Sequence, residues 1–123
     1  MTENNKALLL KGNAAIAEGN YEGFLALCTD DTEWTFVGDT VLKGKEAVRQ
    51  WMATNYTEPP LVTVEDLLAE GDFLVAVGSV TMKNENGNPT HYAYSDVWRF
   101  RDGKLAELRA FVINIDPDNV ARR

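Results

Sequence analysis

The sequence is short of cysteine, histidine and positive charge. It contains one cysteine, Cys28, and one histidine, His91, among 123 residues. A single cysteine excludes an intrachain disulfide framework and any metal site built from several cysteines. Lysine and arginine total 12 against 19 aspartates and glutamates, which gives a net charge of −7. This acidic balance lacks the basic surface that phosphate backbones require, so we expect no nucleic-acid partner.

Long apolar runs are also missing. No stretch approaches the roughly 20 apolar residues that cross a bilayer. The first residues, 1–6, show no basic region leading into the apolar core of a signal peptide. We therefore expect a cytoplasmic protein with no membrane partner. The length and the 45% share of apolar residues predict one domain that covers residues 1–123.

The chain does contain a helical first half and a β-rich second half. Residue patterns predict helices over 3–18, 20–28 and 45–55, and a strand over 33–37. Pro59-Pro60 ends the helical part, because proline lacks the amide proton and disfavours helix in the residue before it. The β-rich runs that follow are predicted at 61–69, 72–84, 89–101 and 104–115. This order predicts an α+β fold, with the helices packed on one face of a long antiparallel sheet that curls around them.

Two glycine turns predict how the last strands pair. If Asn86-Gly87 and Asp102-Gly103 are both two-residue hairpin turns, they fix the register of the strands on either side. Counting from these turns places Asp96 opposite Val77 and Arg109. The shared face is then apolar and aromatic, and forms either a solid core or the wall of a pocket. The pocket-lining residues predicted in this way, with contributions from the first strand and the third helix, are Trp34, Phe36, Trp51, Phe73, Val75, Val77, Tyr92, Tyr94, Trp98 and Phe111.

An aspartate on an aromatic face needs an explanation, because burial of a carboxylate costs free energy and raises its pKa. One interpretation is a structural Asp96–Arg109 ion pair that helps to fix the register. The other is a general acid/base at the floor of a pocket, with Arg109 setting its charge or binding an anionic oxygen. Burial would raise the pKa of Asp96 and the guanidinium would lower it. The candidate catalytic residues are Asp96 and Arg109.

Several segments resemble the SnoaL-like polyketide cyclase family. The strongest likeness lies in Tyr94–Glu107 and Leu67–Asp72, and it extends upstream to Gly19–Tyr21, Asp30–Trp34 and Lys43–Val48. The resemblance implies a cone-shaped fold like that of nuclear transport factor 2, within the ketosteroid isomerase superfamily. It also implies a cavity between the curled sheet and the helices, and a homodimer through the outer face of the sheet.

The resemblance also bears on single residues. It implies that the acid/base aspartate of the cyclases matches Asp96. It does not transfer the isomerase mechanism, because Phe36 stands where the isomerase carries its base and Gly12 where it carries a tyrosine. The cyclases use a histidine as well, and the candidate here is His91. Strand alternation places His91 on the face opposite Asp96, so we expect no catalytic role for it.

The sequence leaves three functional interpretations open. The leading one is a small-molecule-binding protein, needing no cofactor or metal, in which Asp96 moves a proton on a hydrophobic carbonyl compound. The alternative is a non-catalytic ligand-binding or dimerisation module with a structural Asp96–Arg109 pair. Epoxide hydrolysis by water held between the aspartate and the arginine ranks lower.

Dimerisation is expected because the helices cover only one side of the sheet. The opposite face predicted by strand alternation is also apolar, and a second copy of the chain would cover it. Its predicted residues are Leu74, Ala76, Val80, Met82, Ala93, Val97, Leu108, Ala110 and Val112.

Overall fold

The α+β prediction is confirmed. The computed structural model describes residues 2–84 and 86–116, in which helices pack on one curled six-stranded sheet. No helix in this part of the chain is long and apolar enough to cross a membrane. The elements are α1 (Thr2–Ala17), α2 (Tyr21–Leu25), β1 (Cys28–Phe36), β2 (Thr40–Lys43), α3 (Lys45–Asn55), β3 (Leu61–Glu70), β4 (Phe73–Lys83), β5 (Pro89–Arg101) and β6 (Lys104–Asn114).

The strands lie in the order β2-β1-β6-β5-β4-β3. Strands β3 to β6 form the antiparallel meander that their short connections predict. Strand β1 joins the sheet beside β6 in parallel, and β2 folds back on β1. The helices lie against the inner face, so the hydrophobic core lies between them and the sheet. Its largest fully buried side chains include Phe24, Leu9, Leu25, Met52, Leu74 and Leu105.

The start of the chain differs from the prediction at α2. Asn20 caps this helix as expected, with its side-chain oxygen accepting from the Gly23 amide at 2.9 Å. The helix ends at Leu25, however, and Cys28 already pairs with Leu105 as the first residue of β1. Pairing with β6 therefore overrides the local preference for helix. Cys28 is fully buried, and burial raises the pKa of its thiol to about 12.

The predicted register between β4 and β5 is wrong by one residue. Strand β4 ends at Lys83, which pairs with Pro89, so the connection is longer than the two-residue turn expected at 86–87. The Asn84 side chain accepts hydrogen bonds from the amides of Asn86 and Asn88, at 2.9 and 3.0 Å, and this stabilises the wider loop. A slip of one residue exchanges the two faces of a strand. Every side chain of β4 therefore points opposite to the prediction.

The register between β5 and β6 starts as predicted and then shifts. At the Asp102-Gly103 turn both residues have positive φ, 53° and 76°, and Phe100 pairs with Leu105 as expected. The next pair is Arg99 with Glu107, so Ala106 is an extra residue in β6. This β-bulge turns the rest of β6 over.

Thr32 lies behind this bulge. It is fully buried, and its hydroxyl lies 3.2 Å from the Leu105 carbonyl oxygen and 3.0 Å from that of Ala106. Both residues are themselves buried on β6. A bulge interrupts the regular ladder of backbone hydrogen bonds, and buried carbonyl oxygens need donors. The Thr32 hydroxyl supplies one from the neighbouring strand.

Together the two shifts reassign the faces of the sheet. Asp96 pairs with Ala76 and Ala110, not with Val77 and Arg109. The predicted lining residues Phe73, Val75, Val77 and Phe111 lie on the outer face, and so does Arg109. Conversely, most of the predicted outer face points inwards, while Ala93 and Val97 stay outside. The inward residues are Leu74, Ala76, Val80, Met82, Leu108, Ala110 and Val112.

We predict that Thr32→Val destabilises the protein by about 1–3 kcal/mol, because it removes the donor of two buried carbonyl oxygens and keeps the side-chain shape. Denaturant unfolding measures this difference. Thr35→Val is the matched control, since Thr35 lies on the same strand and is only half-buried. Equal stability of Thr32→Val and the wild type would show that the hydroxyl does not support the bulge.

Candidate functional site

A cavity of about 370 Å³ lies between the helices and the inner face of the sheet. This volume falls within the range of small-molecule sites. The strands, α2, α3 and the segment just after α3 all contribute aromatic rings to this cavity. The aromatic residues of its wall are Phe24, Trp34, Phe36, Trp51, Tyr56, Tyr92, Tyr94 and Trp98.

The aromatic wall is a packed cluster around Trp34. The Trp34 ring meets those of Trp98, Phe24 and Trp51 edge to face, with centroids 5.8, 5.9 and 6.2 Å apart. Phe36, two residues along the strand, stacks on Trp51 at 4.9 Å. Such contacts fix ring orientations as well as burying apolar area. The wall is therefore shaped by side chains that hold one another in place.

Asp96 lies on β5 between Tyr94 and Trp98, on the inner face of the sheet. Its cross-strand neighbours are Ala76 and Ala110, which both line the cavity. Their small side chains leave the carboxyl facing the cavity. Burial raises the pKa of Asp96 from 3.8 to about 7. The carboxyl therefore changes its charge near neutral pH.

The predicted Asp96–Arg109 pair does not exist. Arg109 is exposed on the outer face, opposite Val97 and Thr35. It cannot offset the burial of Asp96, lower its pKa or bind an anion in the cavity. The bulge in β6 is the physical reason for this correction, since without it Arg109 would point inwards. The cavity wall of the described residues contains no lysine, arginine or histidine.

Polar groups are few in the cavity. Besides Asp96 the wall contains Asp39, which is exposed in the turn after β1, and the two amides of Asn13 and Asn55. Among the parts of the chain that the structure describes, no group of three or more histidines, cysteines or acids could hold a metal ion.

Tyr56 is a cavity residue that the sequence prediction missed. The apolar stripe that the sequence predicts for α3 ends at Asn55, whereas one further helical turn from Met52 leads to Tyr56. Burial, followed by the charge of Asp96, raises the pKa of Tyr56 above its usual value. The same two causes raise the pKa of Tyr94 to about 12. Both hydroxyls therefore keep their protons over the pH range in which Asp96 ionises.

His91 lies outside the cavity, as strand alternation predicted. Its side chain is exposed, and its Nδ1 lies 2.7 Å from a carboxylate oxygen of Asp116. This hydrogen bond is the main cause that lowers the pKa of Asp116. The pair ties the start of β5 to the chain just after β6.

A family model of the SnoaL-like domain matches residues 11–108. The chain belongs to the SnoaL-like family. None of the curated proteins compared with it matches. The nuclear-transport-factor-2-like fold that the resemblance implied is confirmed by solved structures that superpose on most of the chain.

Three such structures illustrate the range of structural neighbours. SalBIII, an epoxide hydrolase/cyclase-like enzyme of pyran ring formation in polyether salinomycin, is 20% identical with a TM-score of 0.84 over 90% of this chain and 92% of that one. A putative SnoaL-like polyketide cyclase from Jannaschia sp. is 18% identical. Its TM-score is 0.78, and the match covers 98% of this chain and 90% of that one. An NTF2-like protein of unknown function from Burkholderia pseudomallei is 19% identical. Its TM-score is 0.79, and the match covers 97% of this chain and 95% of that one. These identities show a shared fold, which hosts many activities.

The buried carboxyl predicts how the stability of this SnoaL-like protein depends on pH. Between about pH 4 and 7 the folded protein keeps a proton that the unfolded chain has released, so the free energy of unfolding falls as the pH rises and levels off above about 7. The full effect is at most about 4 kcal/mol. Asp96→Asn removes it. The free energy of unfolding of the variant, relative to that of the wild type, should therefore increase by about 2–3 kcal/mol from about pH 5 to about pH 8.

Denaturant unfolding at the two pH values measures this change. Asp66→Asn, at an exposed position on β3, controls for the exchange itself. A difference between Asp96→Asn and the wild type that is the same at both pH values would contradict the raised pKa.

Proposed function

We propose that the cavity binds a hydrophobic cyclic carbonyl compound and that Asp96 acts on it as general acid and base, without a cofactor. One observation carries this proposal: a carboxyl with a pKa of about 7 faces an aromatic cavity, and no described cation lines that cavity. A pKa near the working pH provides both protonation states, which is the best condition for acid/base catalysis. Perturbed groups in clefts are frequently functional.

The chemistry follows from the two protonation states. The Asp96 carboxylate takes a proton from the carbon next to the substrate carbonyl, and the electron pair of that C–H bond moves to the oxygen to give an enolate. The protonated Asp96 then returns its proton. Delivery to a different carbon isomerises the compound. In a cyclisation, the enolate carbon instead forms a bond to a second carbonyl carbon of the same molecule, and Asp96 protonates the resulting alkoxide.

The character of the cavity supports an uncharged ligand. Flat rings pack well against an aromatic wall, whereas an anionic ligand would meet Asp96 and Asp39 without any cation. The neighbours described as a cyclase-like enzyme and a putative polyketide cyclase agree with this class of ligand. Epoxide hydrolysis between an aspartate and Arg109 loses its arginine, because Arg109 lies on the outer face.

We predict that the protein accelerates exchange of the α-protons of 2-tetralone with deuterium oxide. This compound is a cyclic ketone next to an aromatic ring, and NMR follows the loss of its proton signals. Asp96→Asn should lower the exchange rate by about a hundredfold or more, because it removes the base. The wild-type rate should rise with pH and level off above about 7, since the reaction requires the carboxylate form.

Asp39→Asn is the control, because it removes the other acid of the cavity wall from an exposed position. Exchange that is unchanged in Asp96→Asn would contradict the catalytic role. Binding of 2-tetralone without any exchange would favour the non-catalytic ligand-binding module.

We further propose that two copies of the chain associate through the outer face of the sheet. This face consists of the residues that point outwards in the structure, which differ from those predicted from the sequence. Large apolar side chains are exposed there, including Ile113 at 66%, Phe73 at 46% and Phe111 at 42%. Half-buried Val75, Val77 and Val97 lie between them. Large apolar side chains exposed on one face of a sheet favour a partner, and a two-fold dimer is the commonest arrangement.

We predict that the protein is a dimer at micromolar concentration and that Phe111→Asp makes it a monomer, because the change places a charge within an apolar interface. Light scattering after size-exclusion chromatography measures the mass. Leu10→Asp is the matched control, since Leu10 is similarly exposed, at 47%, but lies on α1. A monomeric wild-type protein would overturn this proposal.

A further inference from the structure

We propose that Tyr56 is a second catalytic residue, whose hydroxyl donates a hydrogen bond to the carbonyl oxygen of the ligand while Asp96 acts at the neighbouring carbon. This inference rests on the proposed function. Tyr56 would stabilise the enolate oxygen, and the sequence predicts Arg109 in that role. A donor placed where negative charge develops is a large contribution to reactions of this kind.

The position of Tyr56 is fixed by its surroundings. It follows α3 directly, and its amide donates to the Met52 carbonyl at 2.9 Å. Its ring meets the Trp51 ring at 5.2 Å and the Tyr21 ring at 5.6 Å. The side chain lines the cavity from the helix side, across from the sheet that carries Asp96. A donor held in this way loses little entropy when a ligand binds.

The donors on the other rings of the cavity wall are less suitable. The Tyr94 hydroxyl already donates to the Thr63 carbonyl at 3.3 Å. The Trp34 indole nitrogen has no hydrogen-bond partner among the described residues, but it is buried within the ring cluster. Tyr92 lies four residues along β5 from Asp96, a distance of about 13 Å. The Tyr56 hydroxyl makes no hydrogen bond with another described residue and remains available to a ligand in the cavity.

The electrostatics of the pair suit the proton transfer. The charge of Asp96 is one of the causes that raise the pKa of Tyr56, so the two groups interact within the same cavity. When Asp96 takes the substrate proton, its negative charge disappears and a negative charge forms on the ligand oxygen. The Tyr56 hydroxyl, still protonated, can then donate to that oxygen. The donor thus interacts with the transition state more strongly than with the ground state.

The test compares Tyr56→Phe with Tyr21→Phe. Both changes remove a hydroxyl and keep the ring, but Tyr21, whose ring packs on that of Tyr56, is not among the described residues of the cavity wall. Tyr56→Phe should lower the rate of 2-tetralone exchange by about a hundredfold, because one donor to the enolate oxygen is lost. Tyr21→Phe should keep the wild-type rate.

Binding of two probes separates a donor from a packing residue. 2-Naphthol is the aromatic analogue of the 2-tetralone enol, and naphthalene has the same rings without the oxygen. Tyr56→Phe should raise the dissociation constant of 2-naphthol about tenfold, which is the loss of one hydrogen bond, and leave that of naphthalene unchanged. An equal loss for both probes would show that Tyr56 only packs, and would overturn the inference.

The same measurements distinguish failure of this inference from failure of the proposed function. If Asp96→Asn abolishes exchange while Tyr56→Phe keeps wild-type exchange and 2-naphthol affinity, the inference is wrong and the role of Asp96 stands. If exchange is unchanged in both variants, both are wrong. Loss of exchange in both, with the oxygen-specific loss of affinity only in Tyr56→Phe, supports the pair.

Discussion

The β-bulge at Ala106 determines which side chains enter the cavity. Because it adds one residue to β6, it turns Arg109 outwards and Ala110 inwards, and so leaves Asp96 without a cation. The Thr32 hydroxyl supplies a donor to the carbonyl oxygens of this bulge from the neighbouring strand. The raised pKa of Asp96 therefore depends on a backbone irregularity four residues along β6 from Ala110, the residue that pairs with Asp96. Bulges near active sites commonly redirect side chains in this way.

The fold could be predicted from the sequence because its signals are strong. Proline ends the helical half, turns that contain glycine separate the strands, and aromatic residues recur at every second position along the strands. The alternation within β5 alone correctly placed Tyr92, Tyr94, Asp96 and Trp98 on one face and His91 on the other. Within a single strand the period of two is sufficient.

The faces of β4 and β6 could not be predicted, because they depend on single residues that carry little signal. The loop stabilised by Asn84 and the bulge at Ala106 each shift the pairing by one. The two register predictions agree with each other because both place apolar residues on the same face. On both strands, however, the residues of either parity are apolar, so hydrophobicity could not reveal the error. Tyr56 is absent from the predicted cavity residues for a different reason. It lies just beyond the last residue of α3, where the predicted apolar stripe ends.

The state of Asp96 is better understood as a cost than as a structural contact. Ionisation of this carboxyl removes up to about 4 kcal/mol from a fold whose total stability is of the order of 5–15 kcal/mol. An apolar residue between Ala76 and Ala110 would avoid the cost and fill the space. No ion pair with Arg109 offsets it, so the structural explanation of the aspartate is lost together with that pair. Of the two interpretations, the proposed one remains, in which the carboxyl acts on a ligand in the cavity, and this favours a site over a core.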